Sequence, residues 1–264
     1  MTSSATKASP YLGDSLGIEL VNIFVSKDPN RKQFVIHKKL ICDKVDFFHK
    51  AFMGGFKENE GTMDLPDEKP AVFAMFVDWL YRSDLEVGRA TTTEQFVGLF
   101  KLYFFAEKFC VNVLQNRLID RIRLASGGSP RMGNCGPQIT IAFAAFIFKN
   151  TPTGSELRNY CTHELAWRLW IYGTGTTMPD SNNILSMFSL WSDQNELIEK
   201  YFEFLRCNPT EIHGLWDDIE DGEVFECMFH RHGREEGRCY IEEEGVARTS
   251  LAKTIWDEKI DFAD

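Results

Sequence analysis

The stretch Phe47–Tyr81, FFHKAFMGGFKENEGTMDLPDEKPAVFAMFVDWLY, decides the fold. With the residues just before it, Leu40, Ile41, Val45, Phe48 and Phe52 recur at threes and fours, which predicts a helix. Gly54 and Gly55 stop it. Thr62–Leu65 predicts a short strand that ends at Pro66. Pro70 then falls in the first turn of a second helix, where its missing N–H costs little. Phe73, Phe76, Val77, Leu80 and Tyr81 form that helix's buried stripe.

On the N-terminal side, Ile18–Val25 (IELVNIFV) is apolar and β-branched and predicts a strand. Lys27–Arg31 (KDPNR) is turn chemistry, and Lys32–His37 (KQFVIH) predicts the second strand of a hairpin. On the C-terminal side, Thr91 and Glu94 have capping-box spacing. The helix they open turns Phe96, Leu99, Phe100, Tyr103 and Phe104 inward. Val111–Leu124 predicts another helix, with Leu114, Leu118 and Ile122 on one face. Ser126–Pro137 (SGGSPRMGNCGP) reads as a linker. Helical patterns resume over 138–149, from Ser155 to about Tyr172, and after Asp193 and Glu196. The last of these presents Leu197, Ile198, Tyr201, Phe202 and Leu205.

The expected fold class is α+β: a small sheet flanked by helices, followed by a mainly α-helical second half. The expected organisation is a loose leader over 1–17, a first domain over 18–125 and a linker over 126–137. A helical extension over 138–210 and an acidic segment over 211–264 follow.

Several landmarks stand in register within residues 18–124. Phe34-Val35-Ile36-His37-Lys38 ends the second strand, and Phe47-Phe48 is followed by Phe52. Leu65-Pro66-Asp67 leads to Phe73 and then Trp79-Leu80-Tyr81, and Ala106-Glu107-Lys108-Phe109 precedes Leu114. Together they resemble the BTB/POZ family. The second half resembles helical extensions of fungal members through Asn150-Thr151-Pro152-Thr153-Gly154-Ser155-Glu156-Leu157-Arg158. The resemblance implies a module that binds itself or another protein. Two departures stand out. Val45 occupies the position of a helix-capping Ser in many relatives, so Asp43 is expected to cap instead. The leader is also short for the long N-terminal helix of swapped dimers.

Composition narrows the function classes. The chain has 264 residues, 44% hydrophobic, enough to bury a core without staples. Its net charge of −10 is concentrated: residues 211–264 hold 16 acids and 6 bases, while 23 acids and 23 bases balance over 1–210. A neutral body with an acidic segment argues against nucleic-acid binding, which needs a basic face. The longest apolar run, Ile139–Phe148, is interrupted by Thr140 and falls short of the roughly 20 residues of a spanning helix. The polar N-terminus lacks the apolar core of a secretory signal. Seven scattered cysteines do not form a disulfide framework and fit a reducing compartment, cytoplasmic or nuclear.

Candidate sites are few. Phe56-Lys57-Glu58 looks like the hydrophobic-x-Glu element that some BTB/POZ members present to a cullin, with Phe56 filling a pocket and Glu58 fixing orientation. Cys227, His230, His232 and Cys239 form a Cys-x2-His-x-His-x6-Cys cluster of types that suit tetrahedral zinc, and Gly233 and Gly237 allow the chain to turn back. Such an ion would be structural, since four protein ligands leave no open position. The bland alternative is a hairpin with incidental Cys and His. His37 is expected to be a hydrogen-bonding residue of the strand end. Cys161 and His163 do not form a dyad on a helix. No nucleophile, base and oxyanion donor assemble and no phosphate loop is present, so the expectation is a non-enzymatic interaction module without a required cofactor. Its sharpest form is a substrate adaptor of a cullin-based ubiquitin ligase. The alternatives are a transcription- or chromatin-associated protein acting through protein contacts, and a homo-oligomerisation scaffold.

Overall fold

The computed structural model describes residues 13, 16–83, 85, 92–126, 137–174, 195–207 and 229–232. The chain divides into two compact units. The first comprises residues 1–88 and 105–111, the second 89–104 and 112–264.

In the first unit, β1 (Leu20–Val25) and β2 (Lys32–His37) pair antiparallel, with Leu20 opposite His37 and Val25 opposite Lys32. β3 (Thr62–Leu65) pairs parallel to the other edge of β1, giving the order β2-β1-β3. Alternation along β1 sends Val21, Ile23 and Val25 inward, all fully buried. The opposite face carries a polar ladder. Gln33 donates to Asn22 at 2.7 Å, Arg31 pairs with Asp64 at 2.7 Å, and the Arg31 guanidinium lies 4.3 Å from the Phe24 ring centre. Leu20 and Val35 share that face and remain exposed.

Between β2 and β3 run α1 (Lys38–Lys44) and α2 (Asp46–Met53). The single helix expected here is broken at Val45, which is buried and extended (φ −139°, ψ 108°). Val45 is itself the N-cap of α2, and no side chain caps that helix. Asp43 lies inside α1 and does not serve. α3 (Pro70–Arg82) begins at its proline as expected. Lys44 Nζ donates to the Leu80 carbonyl at 2.8 Å and to Ser83 Oγ at 2.6 Å, placing a cation at the C-terminal end of α3. The core of this unit is aromatic: Phe48, Phe73, Phe76, Phe105 and Phe109 meet with ring centres 4.5–6.0 Å apart.

α4 (Thr93–Lys108) contributes Phe105–Lys108 to the first unit and its preceding turns to the second. Its capping box is Thr92 and Gln95, each donating a backbone N–H to the other's side chain, one residue beyond the expected pair. In the second unit, Phe96 and Phe100 pack on Phe143, and Phe104 on Phe146, both from α6 (Ile141–Asn150). α5 (Asn112–Ser126) buries polar side chains as well as apolar ones, among them Asn116, Asp120 and Arg123. α7 (Glu156–Thr174) buries Leu157, Tyr160, Cys161 and Leu165. α8 (Asn195–Cys207) buries Leu197, but Phe202 is 57% exposed rather than part of a covered stripe. No helix among the described residues is long and apolar enough to cross a membrane. A small mixed sheet with helices beside it, followed among the described residues by further helices, is the α+β class expected.

Candidate partner-binding site

Gly54 closes α2, its N–H donating to the Lys50 carbonyl at 2.9 Å. The Phe56 N–H then donates to the Gly54 carbonyl at 2.7 Å, and this tight turn brings the Phe56 ring over Gly54. A Cβ on Gly54 would stand 3.2 Å from that ring and 2.3 Å from the Lys50 oxygen, so only glycine fits.

The next residues form a 3-10 turn (Lys57–Glu60) that ends at Gly61 in the left-handed region, φ +84°. The Gly61 carbonyl accepts from the Asn22 N–H at 2.8 Å, which ties the turn to β1. On this ledge Phe56 is 64% exposed and Met53, the last residue of α2, is 60% exposed. The Glu58 side chain is only 21% exposed, with a carboxylate oxygen 3.9 Å from Lys57 Nζ. Two apolar side chains and one carboxylate thus stand within six residues on a braced turn. That arrangement can fill an apolar socket and set its orientation with a charge.

Of the four residues proposed for zinc, Cys227 and Cys239 lie outside the described residues. His230 and His232 are described, with ring centres 6.0 Å apart. The His230 side chain is fully buried, and its Nε2 lies 3.0 Å from Asp120 Oδ2 on α5. Among the described residues, no group of three His, Cys, Asp or Glu side chains is placed to hold a metal ion. The neighbouring Phe229 packs edge-on against Tyr160 and His163 and lies 5.7 Å from the Arg123 guanidinium. The Asn116 side chain is bonded to the Arg231 backbone at both its N–H and its carbonyl.

His37 Nδ1 lies 2.7 Å from the Tyr81 hydroxyl, which also accepts from the His37 N–H at 3.2 Å. Burial, reinforced by the Glu164 carboxylate, pushes the Cys161 thiol far up, out of reach of ionisation. His163 is pushed down to about 4, first by burial and then by the Arg123 cation. Neither group carries the charge that a Cys/His pair would need.

One centre escaped the sequence reading. Arg158 on α7 is buried and donates to Thr151 Oγ1 at 3.0 Å, to the Phe148 carbonyl at 2.7 Å, to the Thr151 carbonyl and to Glu196 on α8. It therefore satisfies the C-terminal carbonyls of α6 and pins two further helices. The Asn150–Arg158 stretch held the signal: an arginine seven residues after a threonine that follows an apolar helix.

No curated protein matches the chain. Residues 21–118 match the family model of the BTB/POZ domain. That span takes in the three-stranded sheet, the aromatic core and the helices from Lys38 to Lys108. This chain carries a BTB/POZ domain, a protein–protein interaction module, over residues 21–118.

Proposed function

We propose that the chain is a non-enzymatic interaction protein of the cytoplasm or nucleus that docks a cullin scaffold through the Phe56–Glu58 turn, as a substrate adaptor of a ubiquitin ligase. The observation that carries this reading is the presentation of Phe56, 64% exposed, on a turn braced by Gly54 and Gly61. An exposed phenylalanine held in one position loses little further freedom on docking, which favours affinity. Met53 extends the apolar contact, and Glu58 supplies the orienting charge. The test is co-elution of the purified chain with a cullin N-terminal domain, repeated with Phe56→Ala/Glu58→Lys. Complex formation abolished by the double substitution supports the reading. A folded wild-type chain that does not bind at tens of micromolar sinks it.

A second reading, a homo-oligomerisation scaffold, is favoured by a different surface. Leu20 and Val35 stand exposed on the outer sheet face, and Ile18 just before β1 is 97% exposed. Light scattering on the wild type and on Leu20→Glu/Val35→Glu separates the two. An oligomer dissolved by these substitutions, with cullin binding unchanged, assigns that face to self-association.

A further inference from the structure

We infer that α5 and α7 form a peptide-recognition site, which the chain's own residues Phe229–His232 occupy in cis. An extended peptide of the same order, an aromatic residue and then a histidine, takes it from them. The inference is independent of any role for the Phe56 turn.

Helix α5 carries two buried stripes. Leu114, Leu118 and Ile122 supply apolar packing. Asn116, Asp120 and Arg123 recur at i, i+4 and i+7 on the opposite face and are buried as well. Burying polar side chains costs stability unless each meets a suitable partner, so a helix packed for stability alone takes apolar residues there. Each of the three meets the 229–232 segment at a different feature. The Arg123 guanidinium lies 5.7 Å from the Phe229 ring centre. Asp120 Oδ2 lies 3.0 Å from Nε2 of His230, whose side chain is fully buried. Asn116 donates to the Arg231 carbonyl at 3.0 Å and accepts from its N–H at 2.8 Å.

These are the elements by which a peptide is read. Tyr160 and His163 on α7 complete a slot for the aromatic anchor, meeting Phe229 edge-on with ring centres 5.5 and 5.8 Å away. The carboxylate selects an N–H donor at the next position. The Asn116 amide reads backbone alone, so the following side chains are free to vary, and Arg231 and His232 are exposed. The segment belongs to no α-helix or strand, so its seat depends on these contacts, and a separate peptide with the same groups makes the same ones. Release leaves no buried charge alone, because Asp120 keeps Arg123 Nη1 at 3.6 Å. The cis segment holds the site closed, and the apparent affinity for a partner falls with the fraction of time the site stands open.

The probe is the peptide Phe-His-Arg-His, amidated and carrying fluorescein on an N-terminal Gly-Ser spacer. It is titrated by fluorescence anisotropy against the full wild-type chain and against Phe229→Ala/His230→Ala, which empties the site of its anchors. The variant is expected to bind at least about tenfold more tightly than the wild type. Adding Asn116→Leu to it is expected to weaken binding about tenfold or more, as two backbone hydrogen bonds are lost. No binding to the folded variant at about 1 mM, equal affinity for variant and wild type, no effect of Asn116→Leu, or equal binding of the reversed peptide His-Arg-His-Phe each overturns the inference. If the variant does not fold, hydrogen exchange of the wild type decides. Probe at about 1 mM is expected to speed exchange in fragments covering 229–232, and exchange unchanged by it overturns the inference.

Discussion

The side-chain amide of Asn116 takes both hydrogen bonds that the backbone of Arg231 offers, donating to its carbonyl at 3.0 Å and accepting from its N–H at 2.8 Å. An amide side chain here stands in for the edge of a strand. Asn116→Leu keeps the volume and removes both partners. Two such bonds are worth about 2 kcal/mol net. The expected result is a lower denaturation midpoint and faster hydrogen exchange in peptides covering 229–232. Unchanged exchange there would show that the clamp does not hold the segment.

Arg158 predicts a larger loss. Its guanidinium serves two carbonyls, a hydroxyl and the Glu196 carboxylate from a site only 8% exposed. Arg158→Met keeps the stem but leaves those acceptors without their donor. Removing one partner of a buried pair costs about 3–5 kcal/mol. Arg158→Lys recovers only a fraction, because an ammonium cannot fork to four acceptors in fixed directions. Chemical denaturation of both variants checks the order: wild type, then Lys, then Met.

His163 predicts a pH dependence. Its folded-state value of about 4 lies below the usual 6.5, so the unfolded chain binds this proton more readily. The stability it contributes is therefore present above pH 6.5 and drains away as pH falls toward about 4, by about 3 kcal/mol. His163→Gln cannot take the proton and should flatten that part of the profile. Superimposable wild-type and variant curves between pH 4 and 7 would refute the assignment.

Cys42, Cys110 and Cys161 should separate by reactivity. Cys110 is exposed, whereas Cys42 and Cys161 are buried and their thiols are pushed up mainly by burial. Thiolate is the nucleophile, so alkylation of the native chain should mark Cys110 and spare the other two until denaturant is added. Peptide mapping of the labelled chain reads this directly. Equal native labelling of Cys161 would contradict its burial.

Much of the fold was legible locally. The apolar, β-branched run Ile18–Val25 and the Pro70 helix start each carry their structure in a few residues; the strand forms over Leu20–Val25, two residues later than expected, and the helix starts at its proline. The break at Val45 was not legible, because Leu40, Ile41, Val45, Phe48 and Phe52 are buried on either side of it. A single extended residue does not disturb the three-and-four pattern that periodicity senses. The capping pair was off by one for a simpler reason: three threonines in a row, Thr91–Thr93, precede Glu94 and Gln95, and two registers have the same spacing. At the candidate turn, Phe56 and Glu58 could be named from their motif, but the close fit of the ring on Gly54 depends on the backbone path between them, which no motif records. Contacts such as Asp120 with His230, or Asn116 with Arg231, join residues more than a hundred apart and leave no local pattern.

That separation has a consequence for how the protein is made. The Asn116–Arg231 contact spans 115 residues, so α5 is synthesised long before the segment that covers its polar side chains exists. Until then the Asn116 amide is without the Arg231 backbone it clamps, and the helix waits in an incompletely packed state of the kind chaperones attend. A nonsense or frameshift allele interrupting the gene between the codons for Cys207 and Phe229 would leave the BTB/POZ span of 21–118 fully encoded. It would still remove the cover of α5, a helix that begins inside that span, and such an allele is expected to act through degradation of the product.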